Sequence, residues 1–260
     1  MMNWLAPEIE VTVGDRTRLA SVQRMEVVAA RSQPIASAYL ELSNVRFEWE
    51  GGAADGDPLL LRWGYRGQDL APLFDGTAMC AHARDTFSVW GLCRARALAD
   101  TRLTRTYQGE AADAVVSHLV GDLGFASIDV SSCAETIDKL PLRDNTVAQA
   151  IRFLNRRLEL DRAFYADAEG GFHWGERDTT QAPAHTFTHG EDVLDFQAIP
   201  GGRHLLTVMG APLWHSQVVT LVDAAGAEAP RYFIEQVRHT VGFGGSGTRS
   251  HLWLSEVPDG

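Results

Sequence analysis

Three stretches of the chain alternate apolar and polar residues with a period of two, and this pattern limits the fold more than any other feature. Ile9, Val11 and Val13 alternate with Glu8, Glu10 and Thr12. Leu59, Leu61, Trp63 and Tyr65 alternate with Leu60, Arg62, Gly64 and Arg66, and Phe87, Val89, Gly91 and Cys93 keep the same rhythm. A strand points successive side chains to opposite faces, so each stretch reads as a half-buried strand. Further strands are expected near 19–29, 36–49 and 70–83, punctuated by Gly14-Asp15, Gly51-Gly52, Asp57-Pro58, Gly67 and Asp75-Gly76. Strands spaced this way, with no helical period among them, predict a small β-barrel or sandwich over residues 1–103.

The period then changes. Val115, Val116, Leu119, Val120 and Leu123 fall at helical spacing and stop at Gly124. Val147, Ile151, Leu154 and Leu158 form a second stripe, and Thr146-x-x-Gln149 fits a capping box at its start. Ala163–Asp167 and Gly171–Trp174 flank Ala168-Glu169-Gly170 as a short hairpin. Residues 104–182 therefore read as an α/β unit with two helices. From 183 to 260 the chain returns to β, with strands expected near 185–189, 192–198, 204–209, 216–222, 231–241 and 249–255. Gly201-Gly202, Gly210-Ala211-Pro212, Ala224–Gly226 and Gly242–Gly247 break them. The expected fold class is a β-rich α+β chain, two small β-barrel domains flanking a short α/β segment.

Composition narrows the function classes. The chain has 260 residues, 45% of them hydrophobic and 22% charged, as in ordinary globular proteins. No run approaches the ~18 apolar residues of a membrane helix, so membrane insertion is not expected. Met1-Met2-Asn3-Trp4-Leu5-Ala6-Pro7-Glu8 has neither a basic nor an apolar leader region, which suggests folding in a cytoplasm. Cys80, Cys93 and Cys133 are odd in number and read as free thiols. A net charge of −11 disfavours wrapping a nucleic acid. Lys139 is the single lysine among 23 basic residues; a GC-rich genome explains such bias, and guanidinium forks also suit ion pairs at subunit interfaces.

Each constellation that might carry chemistry has a plainer explanation. Cys80-Ala81-His82 and His185-x-x-x-His189 place side chains on common strand faces, yet the paired ligand spacing of a zinc site is missing. Glu191, Asp192 and Asp195 might supply hydrolytic carboxylates, but neighbouring acids on a strand more often form a solvated face. Gly242–Gly247 lacks the lysine of a phosphate loop and reads as a hairpin tip. The seven tryptophans are spread through the chain as core or interface anchors. No catalytic, cofactor-binding or metal-binding residue is assigned, no cofactor is expected, and the chain is read as not an enzyme.

Three stretches carry a family resemblance. Leu59–Gly76 (LLLRWGYRGQDLAPLFDG), Thr106–Gly124 (TYQGEAADAVVSHLVGDLG) with Leu142–Leu160 and the hairpin after it, and Phe233–Leu254 occur in one order. Together they resemble the baseplate hub proteins of tailed phages, the late control D family, and the hub part of VgrG-type spike proteins. Those proteins are often longer, so the second barrel is expected to be trimmed, and no needle segment follows. The resemblance implies a structural homotrimer whose two barrels per copy make a pseudo-sixfold ring. Its partners would be a hexameric tail tube protein and a trimeric central spike protein, with tape-measure and baseplate wedge proteins nearby. DNA would pass an acidic lumen without specific binding, and the location would be the virion tail baseplate, assembled in the host cytoplasm. The alternatives are a tail-associated cell-wall hydrolase and a carbohydrate- or receptor-binding module. The adapter role needs the flanking β segments to be separate and alike; unlike shapes, or their merging into one sheet, would remove its basis.

Overall fold

The structure, a computed structural model, describes residues 7–20, 22–45, 49, 53–82, 85–222, 228–242 and 247–258. Among these, the first segment forms β1 (Pro7–Val13), β2 (Arg16–Leu19), β3 (Val22–Ala30), β4 (Gln33–Ser43), β5 (Pro58–Tyr65), β6 (Ala71–His82) and β7 (Thr86–Cys93). The middle segment opens with α1 (Arg96–Asp100), β8 (Arg102–Tyr107), β9 (Glu110–Ala111) and α2 (Ala112–Val120). It continues through β10 (Ile128–Val130), β11 (Thr136–Ile137), β12 (Leu140–Thr146), α3 (Val147–Arg157), β13 (Ala163–Ala166) and β14 (Phe172–Gly175). The last segment holds β15 (His185–Thr188), β16 (Val193–Ile199), β17 (Gly202–Val208), β18 (Val218–Val222), β19 (Glu228–Gly242) and β20 (Thr248–Glu256).

The alternation seen in the sequence is the alternation of burial. Ile9, Val11 and Val13 of β1 face inward, as do Leu59, Leu61 and Trp63 of β5 and Phe87, Val89 and Cys93 of β7. Their neighbours Glu10 and Arg62 sit on the outer face and pair there at 3.5 Å. One hydrophobic cluster runs through all three segments, joining these residues to Val115 and Val116 of α2, Ile151 and Leu154 of α3, and Leu252 of β20. Burial of such side chains is the main stabilising term, at roughly 25 cal/mol per Å².

The 13-stranded sheet runs β16-β17-β20-β19-β3-β4-β7-β6-β5-β1-β2, with β18 on β19 and β15 on β18. Here two expectations are corrected. The sheets do not close into barrels, and the flanking segments are not separate, because β3 pairs antiparallel with β19 from Arg24↔Gly242 to Ala30↔Gln236. β19 is 15 residues long: its first half meets β18 and its second half meets β3. The Arg238–Glu26 ion pair, 2.8 Å, spans the seam. A period of two shows that a strand has one buried face, and is silent on which strand lies beside it.

The expected strand over 19–29 is likewise two elements: β2 folds back on β1 through Gly14-Asp15, and β3 begins at Val22. The strand expected over 36–49 ends at Ser43. The expected turn at Gly51-Gly52, the break at Ala224–Gly226 and most of the tip at Gly242–Gly247 lie outside the described residues.

In the middle segment, α3 starts where the sequence places it. Thr146 accepts from the Gln149 N–H at 3.2 Å while the Gln149 side chain accepts from the Thr146 N–H at 2.9 Å. α2 stops at Val120, short of Gly124, which sits at φ 75° three residues past Gly121. Short strands β8 and β12 pair with each other, and β10-β14-β13 form a small sheet beside them. No helix among the described residues is long and apolar enough to cross a membrane.

Candidate functional site

The densest polar constellation lies where the β13–β14 hairpin meets the sheet seam, around a cleft of about 380 Å³ lined by Arg31, Tyr165, His173, Arg177 and Ser216. The hairpin turn builds its first half. Asp167 Oδ1 accepts from the N–H groups of Glu169 (2.9 Å) and Gly171 (2.7 Å), with Gly170 at φ 81° between them. That leaves Asp167 Oδ2 to meet His173 Nε2 at 2.7 Å. β10 runs parallel to β14 with Asp129 opposite His173, so the Asp129 carboxylate reaches His173 Nδ1 at 3.2 Å.

The electrostatics follow. The bond to Asp167, helped by Asp129, raises the His173 pKa above its ordinary value, although burial works against it. Burial would raise Asp167, but the His173 bond and backbone N–H groups outweigh it and hold the carboxyl below its usual value. Tyr165, the register partner of His173, stacks on that ring at 5.2 Å and meets His215 edge-on at 4.4 Å. Burial first, then the charges of Arg31 and His173, lowers His215 to about 3.

The second half comes from the seam. Arg31, in the β3–β4 turn, donates to Ser216 Oγ at 3.1 Å, and the Ser216 hydroxyl lies 3.1 Å from His215 Nδ1. The Arg31 N–H bonds the Glu235 carbonyl of β19 at 2.8 Å. Arg177 grips the Glu235 carboxylate with two bonds, 2.5 and 3.1 Å, and stands over the Phe233 ring at 5.3 Å. Arg162 lies over Trp174 at 4.4 Å and donates to the carbonyls of Ser131 and Ser132, both at 2.9 Å.

Among the described residues these groups do not form a nucleophilic relay. The Ser216 hydroxyl meets His215, whereas the Asp129 and Asp167 carboxylates meet a different ring, His173. The cleft is a fastening: Arg177 ties the middle segment to Glu235 of β19, and Arg31 ties the β3–β4 turn to β19 and to Ser216.

The residues singled out in the sequence lie elsewhere. Asp192 caps a turn, accepting from the Thr188 N–H at 2.7 Å and facing His185 Nε2 at 3.3 Å. Glu191 is exposed, and Asp195 accepts from Gln197 on its own strand. They are not brought together across a cleft. His189 stands near Phe196, with ring centres 6.1 Å apart. Cys80 is half-buried, its thiol pushed up to about 11 by burial and by the nearby Asp55 and Asp57; the His82 side chain lies outside the described residues. All three cysteines are free, and the buried Cys93 is also raised to about 11. Among the described residues no cluster of three His, Cys, Asp or Glu stands ready for a metal. Trp49, Trp63, Trp174 and Trp214 are core residues, whereas Trp90 is 52% exposed. His173 and Tyr165 lay on a hairpin visible in the sequence, and their shared face was its one signal. Arg31, Ser216 and Glu235 had none.

No protein-family model matches the chain, and no curated protein sequence matches it. Solved structures do. A tail protein from Neisseria meningitidis MC58 superimposes with a TM-score of 0.74 at 12% identity, over 96% of this chain and 97% of that one. The chain shares the fold of this tail protein. The 43 kDa tail protein of prophage MuSo2 from Shewanella oneidensis gives a TM-score of 0.72 at 9% identity, again over 96% and 97%. A type VI secretion system component from Escherichia coli, described as similar to bacteriophage T4 tail proteins, gives 0.67 at 11% identity over 96% and 77%. The similarity spans nearly the whole chain, so it covers the seam and the middle segment as well as the strands.

Proposed function

We propose that this chain is a non-catalytic structural subunit of a phage tail or a related contractile injection machine, working as a homotrimeric hub. The observation that carries this reading is the tail-protein superposition over 96% of the chain, at a TM-score of 0.74. In this reading the segments 1–103 and 183–260 form the wall of a ring and 104–182 braces them from outside. Three copies, each with seven strands on one side of the β3–β19 seam and six on the other, would present a six-part face to a tail tube and a threefold face to a spike. The continuous sheet removes the version with six independent barrels, and the adapter now rests on two lobes coupled within each copy. The virion tail is the corresponding location, with DNA passing through the ring.

Light scattering and negative-stain imaging of the purified chain test this proposal, alone and with a candidate spike protein. A closed threefold ring supports it; a monomer under both conditions removes the hub. Clearing of purified cell walls by the native protein, lost on substitution of Glu191, Asp192 or Asp195, would replace it with the hydrolase reading. One observation favours a glycan- or receptor-binding role: Trp90 stands half-exposed with its ring 4.2 Å from Tyr39 on the outer sheet face. Quenching of tryptophan fluorescence by glycans, abolished in Trp90→Ala, would mark that role.

A further inference from the structure

The main path of the long sheet ends at β2 and β16, with the four-residue β15 a further edge on the β18 branch, and among the described residues neither β2 nor β16 has a strand on its outer side. An unpaired edge presents backbone N–H and C=O groups that another strand can take up. Gly14-Asp15 is a two-residue hairpin, so Val13 and Arg16 are its closing hydrogen-bonded pair, and the backbone groups of Thr17 and Leu19 point away from β1. The Arg18 guanidinium reaches the Thr17 carbonyl at 3.0 Å, consistent with that carbonyl facing outward. Leu19 is 64% exposed on this edge.

The opposite edge carries the same apolar feature with the opposite charge. Leu194 of β16 is 47% exposed at a bulge between Val193 and Asp195, after which pairing with β17 is regular through Ile199. Glu191 and Asp195 flank it, while Asp192 is turned inward to Thr188 and His185. On β2 the exposed cation is Arg18, with Asp15 in the turn and Glu10, opposite Leu19, already paired with Arg62. Charges on a strand edge normally keep it from pairing. Here like charges hold β2 from β2 and β16 from β16, and only unlike edges attract.

We propose that β2 of one copy pairs with β16 of the next, head to tail, around the homotrimer. The inference rests on the homotrimer reading and names its contact. A head-to-tail contact between two different patches closes into a ring when each step is a third of a turn, and closure would cover both ends of the main strand path. The acidic group Glu191 and Asp195 then has a role as half of an interface.

The test is light scattering of the full chain across a concentration range, for the native protein, Arg18→Glu, Asp195→Arg, the two combined, and Thr17→Pro. Thr17→Pro removes an outward N–H and leaves the β1–β2 ladder bonds in place. Each single change is expected to raise the half-assembly concentration about tenfold or more, and the charge swap to return it to within about threefold of native. Circular dichroism melting recorded below the native half-assembly concentration should be unchanged throughout, which separates lost assembly from lost folding. A native trimer indifferent to the single changes would overturn this contact and leave the homotrimer standing, as would a swap that restores nothing. A native chain that stays monomeric both alone and with a candidate spike protein would overturn both.

Discussion

His239 is fully buried, with Ser250 Oγ at 2.8 Å on one ring nitrogen and the Leu213 carbonyl at 2.7 Å on the other. Burial lowers it to about 4, and His215 to about 3. In the unfolded chain both protonate from about pH 6.5 downward. Their contribution to stability is therefore complete above that pH and is lost as the pH falls toward their folded values. His173 works the other way: its raised value favours the folded state below about pH 6.5 and that favour is lost as the pH rises through it. Between about pH 6.5 and 4 the two buried rings dominate, and His239 alone accounts for a loss on the order of 3 kcal/mol. The urea midpoint should accordingly be lower at about pH 4.5 than at about pH 7.5. His239→Leu should weaken the protein by roughly 1–3 kcal/mol near neutrality, by stranding Ser250 and Leu213, while flattening that acid decline. A mutant decline as steep as the native one would refute the assignment.

At the scale of elements, α3 and the β6–β7 ladder offer two contrasting tests. Thr146→Ala removes one half of the capping box and should cost about 1 kcal/mol, visible as a lower urea midpoint with an unchanged slope. Gly76 lies opposite Cys93, and a Cβ there would stand 2.3 Å from the Leu92 carbonyl oxygen. Backbone cannot yield as a flexible side chain does, so Gly76→Ala should cost about 2 kcal/mol or more. If Gly76→Ala proves milder than Thr146→Ala, the close approach of β6 and β7 is not as described.

For the molecule as a whole, the β3–β19 seam decides how the chain unfolds. Two barrels joined by a tether would melt in separate steps. A sheet continuous from β16 to β2, with one hydrophobic cluster and the Arg31, Arg177 and Glu235 bonds across the seam, should unfold in a single cooperative transition. In the monomeric chain, hydrogen exchange should find β3 and β19 among the slowest strands and β2 and β16 among the fastest. Early exchange of β3 with β4–β7 still protected would show that the seam opens alone.

The amino-acid order by itself determined which residues face inward, because pleat and helix tie each side chain's direction to its neighbours'. Hence Ile9, Val11 and Val13, the Thr146–Gln149 cap and the β13–β14 hairpin were all legible. It also carried the order of elements that resembles the hub proteins. What lay beyond it was adjacency across long separations. The pairing of Val28 with Arg238 joins residues from opposite ends of the chain and leaves no mark in local periodicity, so separate barrels and one open sheet share the same pattern. The polar cleft was hidden for that reason too: Arg31, His173, Ser216 and Glu235 become neighbours only when β19 docks on β3. The β2 and β16 edges were equally invisible until the strand order was known, because an edge is defined by the partner a strand lacks.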